Sequence, residues 1–277
     1  MFVELQTGTE LESDCLCAAR ELSRLFARST PPFCASWLAE RFGVSEVRER
    51  PLDRDARLIR ESGRLFIEVN SLFPNTRRRL SIAHEIGHLI VDRCSPMGQS
   101  HWGHENPIIE SLCDRLAEHL LAPDWAVRVH FQNEPELSAW QHPIRCSSVL
   151  TGAAKFGISV DAMASRVFGE MALAPNVEAV IWRFTENANS SDSERQLRVA
   201  SAWNMKRGAI SSNKIASTES VVKKAFERNG VFSGVEELPL GTRRSAHEVE
   251  AQGFGPLPSE GGDAHARAVL SLLSFQS

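Results

Sequence analysis

The stretch of sequence that decides the fold is residues 79–91, RLSIAHEIGHLIV. Its apolar residues recur at the spacing of a buried helix, and His84 and His88 stand four positions apart within it. Residues at that spacing lie on the same face of a helix, so both imidazoles can reach a single ion. Glu85 is about 100° further round the helix, which suits a general base beside that ion. Gly87 weakens the helix by about 1 kcal/mol relative to alanine, which predicts that another backbone passes close to it.

A second helix, with the sequence IESLCDRLAEHLLAP at residues 109–123, can supply the remaining ligand. Glu110 and Asp114 lie on one face of this helix, one turn apart. Glu110 can complete a set of three metal ligands with the two histidines, while Asp114 accepts the outer N–H of one imidazole and fixes its direction. Three protein ligands leave one coordination position open, as a hydrolytic site requires. Two imidazoles and a carboxylate favour zinc, with manganese and iron as open alternatives.

Other polar residues near these helices have two interpretations each. His101 and His104 lie on the loop between the two helices, and the chain contains no tyrosine. Either histidine is therefore a candidate to stabilise an oxyanion or contact substrate, although solvation in the loop is the simpler interpretation. The arginines at 77–79 are interpreted as a solvated cluster, with docking of an anionic partner as the alternative. Cys113 is predicted to be a small core residue.

Composition indicates an ordinary globular protein of the cytoplasm. The net charge of -4 argues against a surface that binds nucleic acid throughout. The first residues lack a basic start followed by an apolar stretch, and no run reaches the roughly 18 apolar residues of a membrane span. The six cysteines are dispersed, and Cys15 and Cys17 are the only close pair. We therefore expect reduced thiols.

Changes of pattern along the chain predict three parts: a core over 1–142, a middle unit over 143–174 and a C-terminal module over 175–277. The middle unit reads as two helices around a turn at 157–159, a helix-turn-helix-like arrangement. Its second helix carries Arg166 as its one basic residue, so packing on the core is favoured over binding of DNA. The C-terminal module reads as strands with one helix, compatible with a role in sensing or substrate recognition.

Helices and strands within these parts are predicted from periodicity and from turn-forming residues. Helices are predicted at 13–28, 33–42, 76–92, 107–121 and 218–229. Strands are predicted at 57–62, 63–70, 177–186, 195–203, 247–254 and 265–275.

The two metal-binding segments, LSIAHEIGHLIVD at 80–92 and IESLCDRLAEHLLAPDW at 109–125, resemble the ImmA/IrrE family of bacterial metallopeptidases, a branch of the gluzincins. Upstream, WLAERFGV and GRLFIEVN are similar to the family's short helix and to the strand before its metal helix. The resemblance covers residues 32–170. The fold class expected is α+β: a mainly helical zincin-like core with a small sheet and the helix-turn-helix-like unit, followed by a smaller mixed α/β domain.

The resemblance implies a role for each matching residue: zinc ligation by His84, His88 and Glu110, general-base catalysis by Glu85, and support by Asp114. It implies a zinc-dependent endopeptidase that cleaves a protein substrate, a transcriptional repressor, in a stress-response, mobile-element or defence switch. The alternative is a non-catalytic regulatory or sensor protein with a structural or empty metal site, which binds a repressor or DNA. A deformylase-type hydrolase is disfavoured, because it needs a cysteine ligand and residues 60–80 contain none.

Overall fold

Two β-sheets, one of three strands and one of five, organise the described part of the chain. The computed structural model describes residues 2–26, 30–95, 106–132, 144–185, 196–203, 220–228, 231–240, 243–254 and 268–274. The chain divides into two units: the first comprises Met1–Ala126 and Lys155–Ile158, and the second comprises Val127–Ala154 and Ser159–Ser277. Helices combined with two separate sheets confirm the predicted α+β fold class. The predicted three-part division of the chain stays a prediction.

The first unit holds most of the helices that the sequence predicts for the core. Its elements are, in chain order, α1 (Phe2–Ser23), α2 (Ala35–Arg41), β1 (Val44–Arg50), β2 (Ala56–Glu61), β3 (Arg64–Asn70), α3 (Asn75–Cys94) and α4 (Pro107–Leu121). The predicted first helix therefore begins earlier than expected, whereas α4 has the expected bounds. Asn106 explains where α4 begins, because its side chain accepts a hydrogen bond from the backbone N–H of Ile108 at 3.0 Å.

The three-stranded sheet has the order β1-β3-β2. β1 runs parallel to β3, while β2 runs antiparallel to it and lies at an edge of the sheet. β2 and β3 are joined by the two residues Ser62 and Gly63, both with positive φ (49° and 78°). This backbone conformation fits the tight turn of a two-residue hairpin. The central strand β3 is buried along its last five residues, as expected for a strand covered on both faces.

Helices α3 and α4 pack together at Gly87. A Cβ atom at this position would lie 3.0 Å from the Cα of Cys113 and 3.1 Å from its carbonyl oxygen. Cys113 is itself fully buried. The predictions of a second backbone beside Gly87 and of a core position for Cys113 are both confirmed.

The arginines at 77–79 are not a solvated cluster, so that expectation is wrong. Arg77 forms two hydrogen bonds with the Asp55 carboxylate, at 2.8 and 3.0 Å. Arg78 pairs with Glu49 of β1. Each of the three guanidinium groups binds another residue of the first unit that is far from the arginine in sequence.

Arg79 is the most buried of the three, and burial lowers the pKa of its guanidinium. It donates to the carbonyl oxygens of Phe33 at 2.8 Å and Phe156 at 3.4 Å. Gly157 follows with φ +65°, and a Cβ there would overlap the Arg79 guanidinium. Arg79 therefore joins the short segment Lys155–Ile158 to the rest of the first unit.

The second unit is built on a five-stranded antiparallel sheet with the order β5-β4-β8-β7-β6. Its strands are β4 (Val177–Thr185), β5 (Gln196–Trp203), β6 (Val231–Leu240), β7 (Arg243–Phe254) and β8 (Ala268–Ser274). Its helices are α5 (Asp124–Gln132), α6 (Cys146–Phe156), α7 (Val160–Ala164) and α8 (Val221–Arg228). The first residues of α5 and the last residues of α6 are assigned to the first unit. β6 is missing from the sequence-based prediction because Gly234 and Pro239 lower its strand propensity; an edge strand tolerates both.

Each face of this sheet is covered by apolar or hydrogen-bonded contacts. On one face, Trp182 and Val249 form a buried cluster with Val222 of α8. On the other, the backbone N–H of Cys146 donates to the Glu250 carboxylate at 2.7 Å. These contacts fix α8 and the start of α6 on the sheet.

The two predicted helices around residues 157–159 are present as α6 and α7. Ser159 caps α7, because its hydroxyl accepts from the backbone N–H of Ala162 at 3.0 Å. A π-helical turn, Ser165–Glu170, follows. Arg166 in this turn is fully buried and pairs with Glu170, so its charge does not face a partner. Among the described helices, none combines the length and hydrophobicity needed to cross a lipid bilayer.

We expect Gly87→Ala to destabilise the first unit. A methyl group gains about 1 kcal/mol of helix propensity, but it must displace the Cys113 backbone, and overpacking of this kind costs about 1–3 kcal/mol. The urea midpoint of the variant should fall, and its zinc affinity should fall with it. Gly169→Ala is the matched control, since its Cβ would lie 3.4 Å from Trp203, an ordinary contact. Equal stability of Gly87→Ala and the parent chain would contradict the close approach.

We expect Glu178 to make the second unit less stable as pH rises. Its side chain is 1% exposed, and one carboxylate oxygen has no hydrogen-bond partner in the structure. Burial raises the pKa of Glu178 from 4.5 to about 7. Between about pH 4.5 and pH 7, the folded state holds a proton that the unfolded chain has released. The free energy of unfolding is therefore highest below about pH 4.5 and falls as pH rises to about 7.

Glu178→Gln tests this pH dependence. At pH 8 the variant should be more stable than the parent chain by on the order of 3 kcal/mol, and at pH 4.5 the two should agree. Urea unfolding followed at both pH values measures the difference. Glu227→Gln, at an exposed position of α8, is the control and should leave the pH profile unchanged.

Candidate metal centre

Three side chains from α3 and α4 converge in the first unit. His84 and His88 lie on consecutive turns of α3, with ring centroids 5.0 Å apart. Glu110 reaches them from the first turn of α4: its Oε2 lies 3.1 Å from Nε2 of His84, and its Oε1 lies 3.6 Å from Nε2 of His88. Among the described residues, one ligand atom from each of these three side chains lies within 4.8 Å of the other two.

The spacing of these atoms fits a single metal ion. Ligands that hold one zinc ion tetrahedrally at about 2.0–2.1 Å lie about 3.3 Å from each other. The separations of 3.1 and 3.6 Å bracket that value. Two imidazole nitrogens and one carboxylate form the donor set of catalytic zinc sites that keep an open position. His84, His88 and Glu110 could therefore hold a divalent cation.

Asp114 fixes the orientation of the first imidazole. Nδ1 of His84 lies within hydrogen-bond distance of Oδ1 of Asp114, at 2.8 Å, and Nε2 of the same ring faces Glu110. Burial alone would lower the pKa of His84; the Asp114 hydrogen bond and the charges of Asp114, Glu85 and Glu110 outweigh it and raise the pKa. The outer contact that the sequence suggests for Asp114 is thus present in the structure.

Cys113 provides the equivalent contact for the second imidazole, and the sequence analysis does not identify this role. Its Sγ lies 3.4 Å from Nδ1 of His88. Burial raises the pKa of the Cys113 thiol well above its usual value, with the Glu110 charge adding to the rise. Burial and the neighbouring His84 lower the pKa of His88, which favours its neutral form. The signal in the sequence is helical spacing, because residues 110, 113 and 114 share one face of α4.

Glu85 lies beside the three converging side chains and near the edge strand β2. The backbone of Leu58 in that strand acts to lower the pKa of its carboxylate. Burial raises the pKa of Glu85 to about 7, and the Glu110 charge adds to the rise against the opposing effects of His84, Leu58 and Arg54. A carboxylate with a pKa near neutrality can both take and return a proton at cellular pH.

The remaining histidines considered from the sequence are placed as follows. His101 and His104 lie outside the described residues, so their role as oxyanion or substrate contacts stays a prediction. His119 is buried on α4, and its Nδ1 lies 3.6 Å from Asp124. That position agrees with its exclusion from the metal site on helical spacing.

Comparison with known proteins gives a family for the part of the chain that contains this site. A model of a peptidase family, the IrrE N-terminal-like domain, matches residues 38–168. None of the curated proteins matches the chain. Among solved structures, a Mycobacterium tuberculosis transcriptional regulator is similar, with a TM-score of 0.53 and 17% identity over 94% of this chain and 76% of that chain. At this level of identity, the similarity concerns the fold.

We expect loss of the Asp114 contact to weaken metal binding. Asp114→Ala leaves the His84 ring without its outer acceptor, and such changes typically reduce metal affinity about 10–100-fold. Asp114→Asn should lose less, because its side-chain oxygen still accepts from Nδ1. Ser111→Ala, at an exposed position of the same helix, should bind zinc like the parent chain. Competition with a chromophoric chelator measures all four affinities, and unchanged affinity of Asp114→Ala would contradict the assignment.

Proposed function

Since residues 38–168 match the model of the IrrE N-terminal-like peptidase domain, we propose that this chain is a zinc-dependent endopeptidase that cleaves a transcriptional repressor. The observation that carries the proposal is the convergence of His84, His88 and Glu110 beside the partly buried carboxylate of Glu85. A ligand set with an open position and an adjacent base is what peptide hydrolysis requires.

We assign the metal to His84, His88 and Glu110, with zinc as the cation that suits these donors best. Bound there, a divalent cation supplies Lewis-acid chemistry: it polarises the scissile carbonyl and lowers the pKa of water. Asp114 and Cys113 hold the two imidazole rings so that each Nε2 faces the cation. These outer contacts keep the ligands in place before substrate arrives.

Glu85 is the general base in this proposal. Its carboxylate takes a proton from the attacking water and later passes that proton to the nitrogen of the leaving amine. Burial and a pKa of about 7 support both transfers.

The edge strand β2 offers a place for an extended substrate. Among the described strands, β2 pairs with β3 alone, so its other edge is not used by the sheet. β2 packs against α3, and Leu58 of this strand is close enough to Glu85 to lower the pKa of its carboxylate, which puts β2 near the general base. A peptide segment that pairs with β2 through main-chain hydrogen bonds would bring a scissile bond to Glu85. This mode of binding suits a protein substrate and tolerates many sequences.

The family resemblance is the reason for proposing a repressor as the substrate. We propose that the reaction takes place in the cytoplasm, where such a substrate is found. The structure supports a protein partner over direct binding of DNA by the α6–α7 unit, since Arg166 is buried and paired with Glu170. A net charge of -4 points in the same direction. We propose that the C-terminal module senses a signal or recognises the substrate.

Glu85→Gln tests the proposal. The purified chain, with its bound metal measured, is incubated with the protein encoded by a neighbouring repressor gene. Cleavage by the variant should fall about 10²–10⁴-fold, while its zinc content and fold stay unchanged. Glu40→Gln, an exposed substitution in α2, is the control and should cleave normally.

Metal removal provides the second arm of this experiment. A chelator should abolish cleavage by the parent chain, and added zinc should restore it. A non-catalytic regulator would behave differently: Glu85→Gln would control the target genes as well as the parent chain does. That result would contradict the peptidase proposal.

A further inference from the structure

An ion pair ties the first turn of α3 to the residue that precedes the edge strand β2. The guanidinium of Arg77 donates two hydrogen bonds to the Asp55 carboxylate, from Nε to Oδ2 at 2.8 Å and from Nη2 to Oδ1 at 3.0 Å. The same guanidinium lies over the Phe73 ring, 4.0 Å from its centroid. Two parallel hydrogen bonds fix direction as well as distance. This contact, the Arg77–Asp55 clamp, therefore defines where α3 begins against the sheet.

The backbone of Asp55 is itself held in place, so the clamp acts directly on β2. The N–H of Asn70 donates to the carbonyl oxygen of Asp55 at 2.9 Å, which continues the pairing of β2 with β3 by one residue. The buried side chain of Asn70 also donates from Nδ2 to the carbonyl oxygens of Leu52 at 2.8 Å and Arg54 at 3.1 Å. The segment that leads into β2 is thus fixed on the sheet side of the clamp.

From the clamp onward, α3 and β2 run in the same direction. Helix α3 follows β3 after only four residues, 71–74, and packs back on β3 and β2. Because β2 is antiparallel to β3, the helix and the edge strand advance together. Glu85 lies eight residues beyond Arg77, about 12 Å along a helix, and Leu58 lies three residues beyond Asp55, about 10 Å along a strand. The clamp therefore brings the middle of β2 level with Glu85.

We propose that Arg77 and Asp55 are positioning residues, which set the register between β2 and α3 and thereby place the scissile bond of an extended substrate beside Glu85. This inference rests on the proposed function, in which the substrate pairs with β2. Neither residue touches the reacting atoms. The clamp acts through the strand, because a peptide held by main-chain hydrogen bonds takes its position from the strand with which it pairs.

The clamp should affect turnover more than binding. Without it, β2 offers the same main-chain groups, so the substrate still binds. Its scissile bond is then displaced from Glu85, and a misplacement of about 1 Å can cost about 10²-fold in rate. A fall in kcat with little change in KM is the signature of an interaction that serves the chemical step and not substrate binding.

A second ion pair of the same helix provides a matched control. Arg78, the next residue of α3, pairs with Glu49 of β1, at the opposite edge of the three-stranded sheet. The side chains of Glu49 and Asp55 are similarly exposed, at 57% and 47%. Removal of either carboxylate costs one ion pair between α3 and the sheet, so a purely structural role predicts the same effect for both. A positioning role predicts slower turnover at Asp55 alone.

Steady-state kinetics of the full chain test the proposal, with the protein that the parent chain cleaves in the Glu85→Gln experiment as the probe. The kcat of Arg77→Ala and of Asp55→Ala should fall about 10–100-fold, while KM changes little and zinc affinity stays the same. The double variant should be no slower than either single variant, because the two residues act as one unit. Arg77→Lys keeps the charge and should recover part of the turnover. Glu49→Ala should match the parent chain.

Hydrogen exchange of the metal-free chain gives a readout that needs neither substrate nor metal. The backbone amides of β2 should exchange faster in Asp55→Ala than in the parent chain, and those of Glu49→Ala should exchange like the parent in this strand. If the parent chain cleaves no protein, the proposed function fails and the placement of a scissile bond fails with it. The exchange rates still decide whether the clamp holds β2.

Three results would overturn the proposal while the proposed function stands. They are equal losses of kcat in Asp55→Ala and Glu49→Ala, additive losses in the double variant, or unchanged exchange in β2. If Asp55→Ala fails to fold, Asp55→Asn takes its place, since it keeps one acceptor oxygen for Arg77 and should show a smaller loss of kcat in the same direction.

Discussion

The close approach of α3 and α4 at Gly87 is the constraint on which the metal centre depends. The Cα of Cys113 lies where only a glycine leaves room, 3.0 Å from the site of a missing Cβ. This contact sets the distance between the two helices within one turn of each converging side chain. Because the helices are this close, the short Glu110 side chain reaches both imidazoles, at 3.1 and 3.6 Å. A wider spacing would leave the carboxylate short of one ring or both.

One face of α4 supplies three successive contacts to the two histidines. Glu110 faces both Nε2 atoms, Cys113 lies against Nδ1 of His88, and Asp114 accepts from Nδ1 of His84. The spacing of one helical turn is thus used twice, once on α3 for the imidazoles and once on α4 for their partners. The pKa shifts of His84 and His88 oppose each other: the hydrogen bond and charge of Asp114 outweigh burial at His84, whereas burial and the charge of His84 lower the pKa of His88.

The part of this architecture that depends on local spacing could be predicted from the sequence, and the part that depends on distant partners could not. Helical periodicity placed His84, His88, Glu110 and Asp114 on two helices, and the predicted bounds of α4 agree with the structure. The partners of Arg77, Arg78 and Arg79 come from sites tens of residues away, and no local sequence pattern indicates them. The edge strand β6 was missed for the same reason, because tertiary pairing overrides weak local propensity.

The segment Lys155–Ile158 gives the first unit a particular order of assembly. Arg79 finds its second carbonyl acceptor at Phe156, 77 residues further along the chain. On the ribosome, the helix that carries both histidines is therefore translated well before this second acceptor. By then, more than half of the polypeptide has been translated. The first unit can therefore be completed only after residues 127–154 of the second unit have been translated.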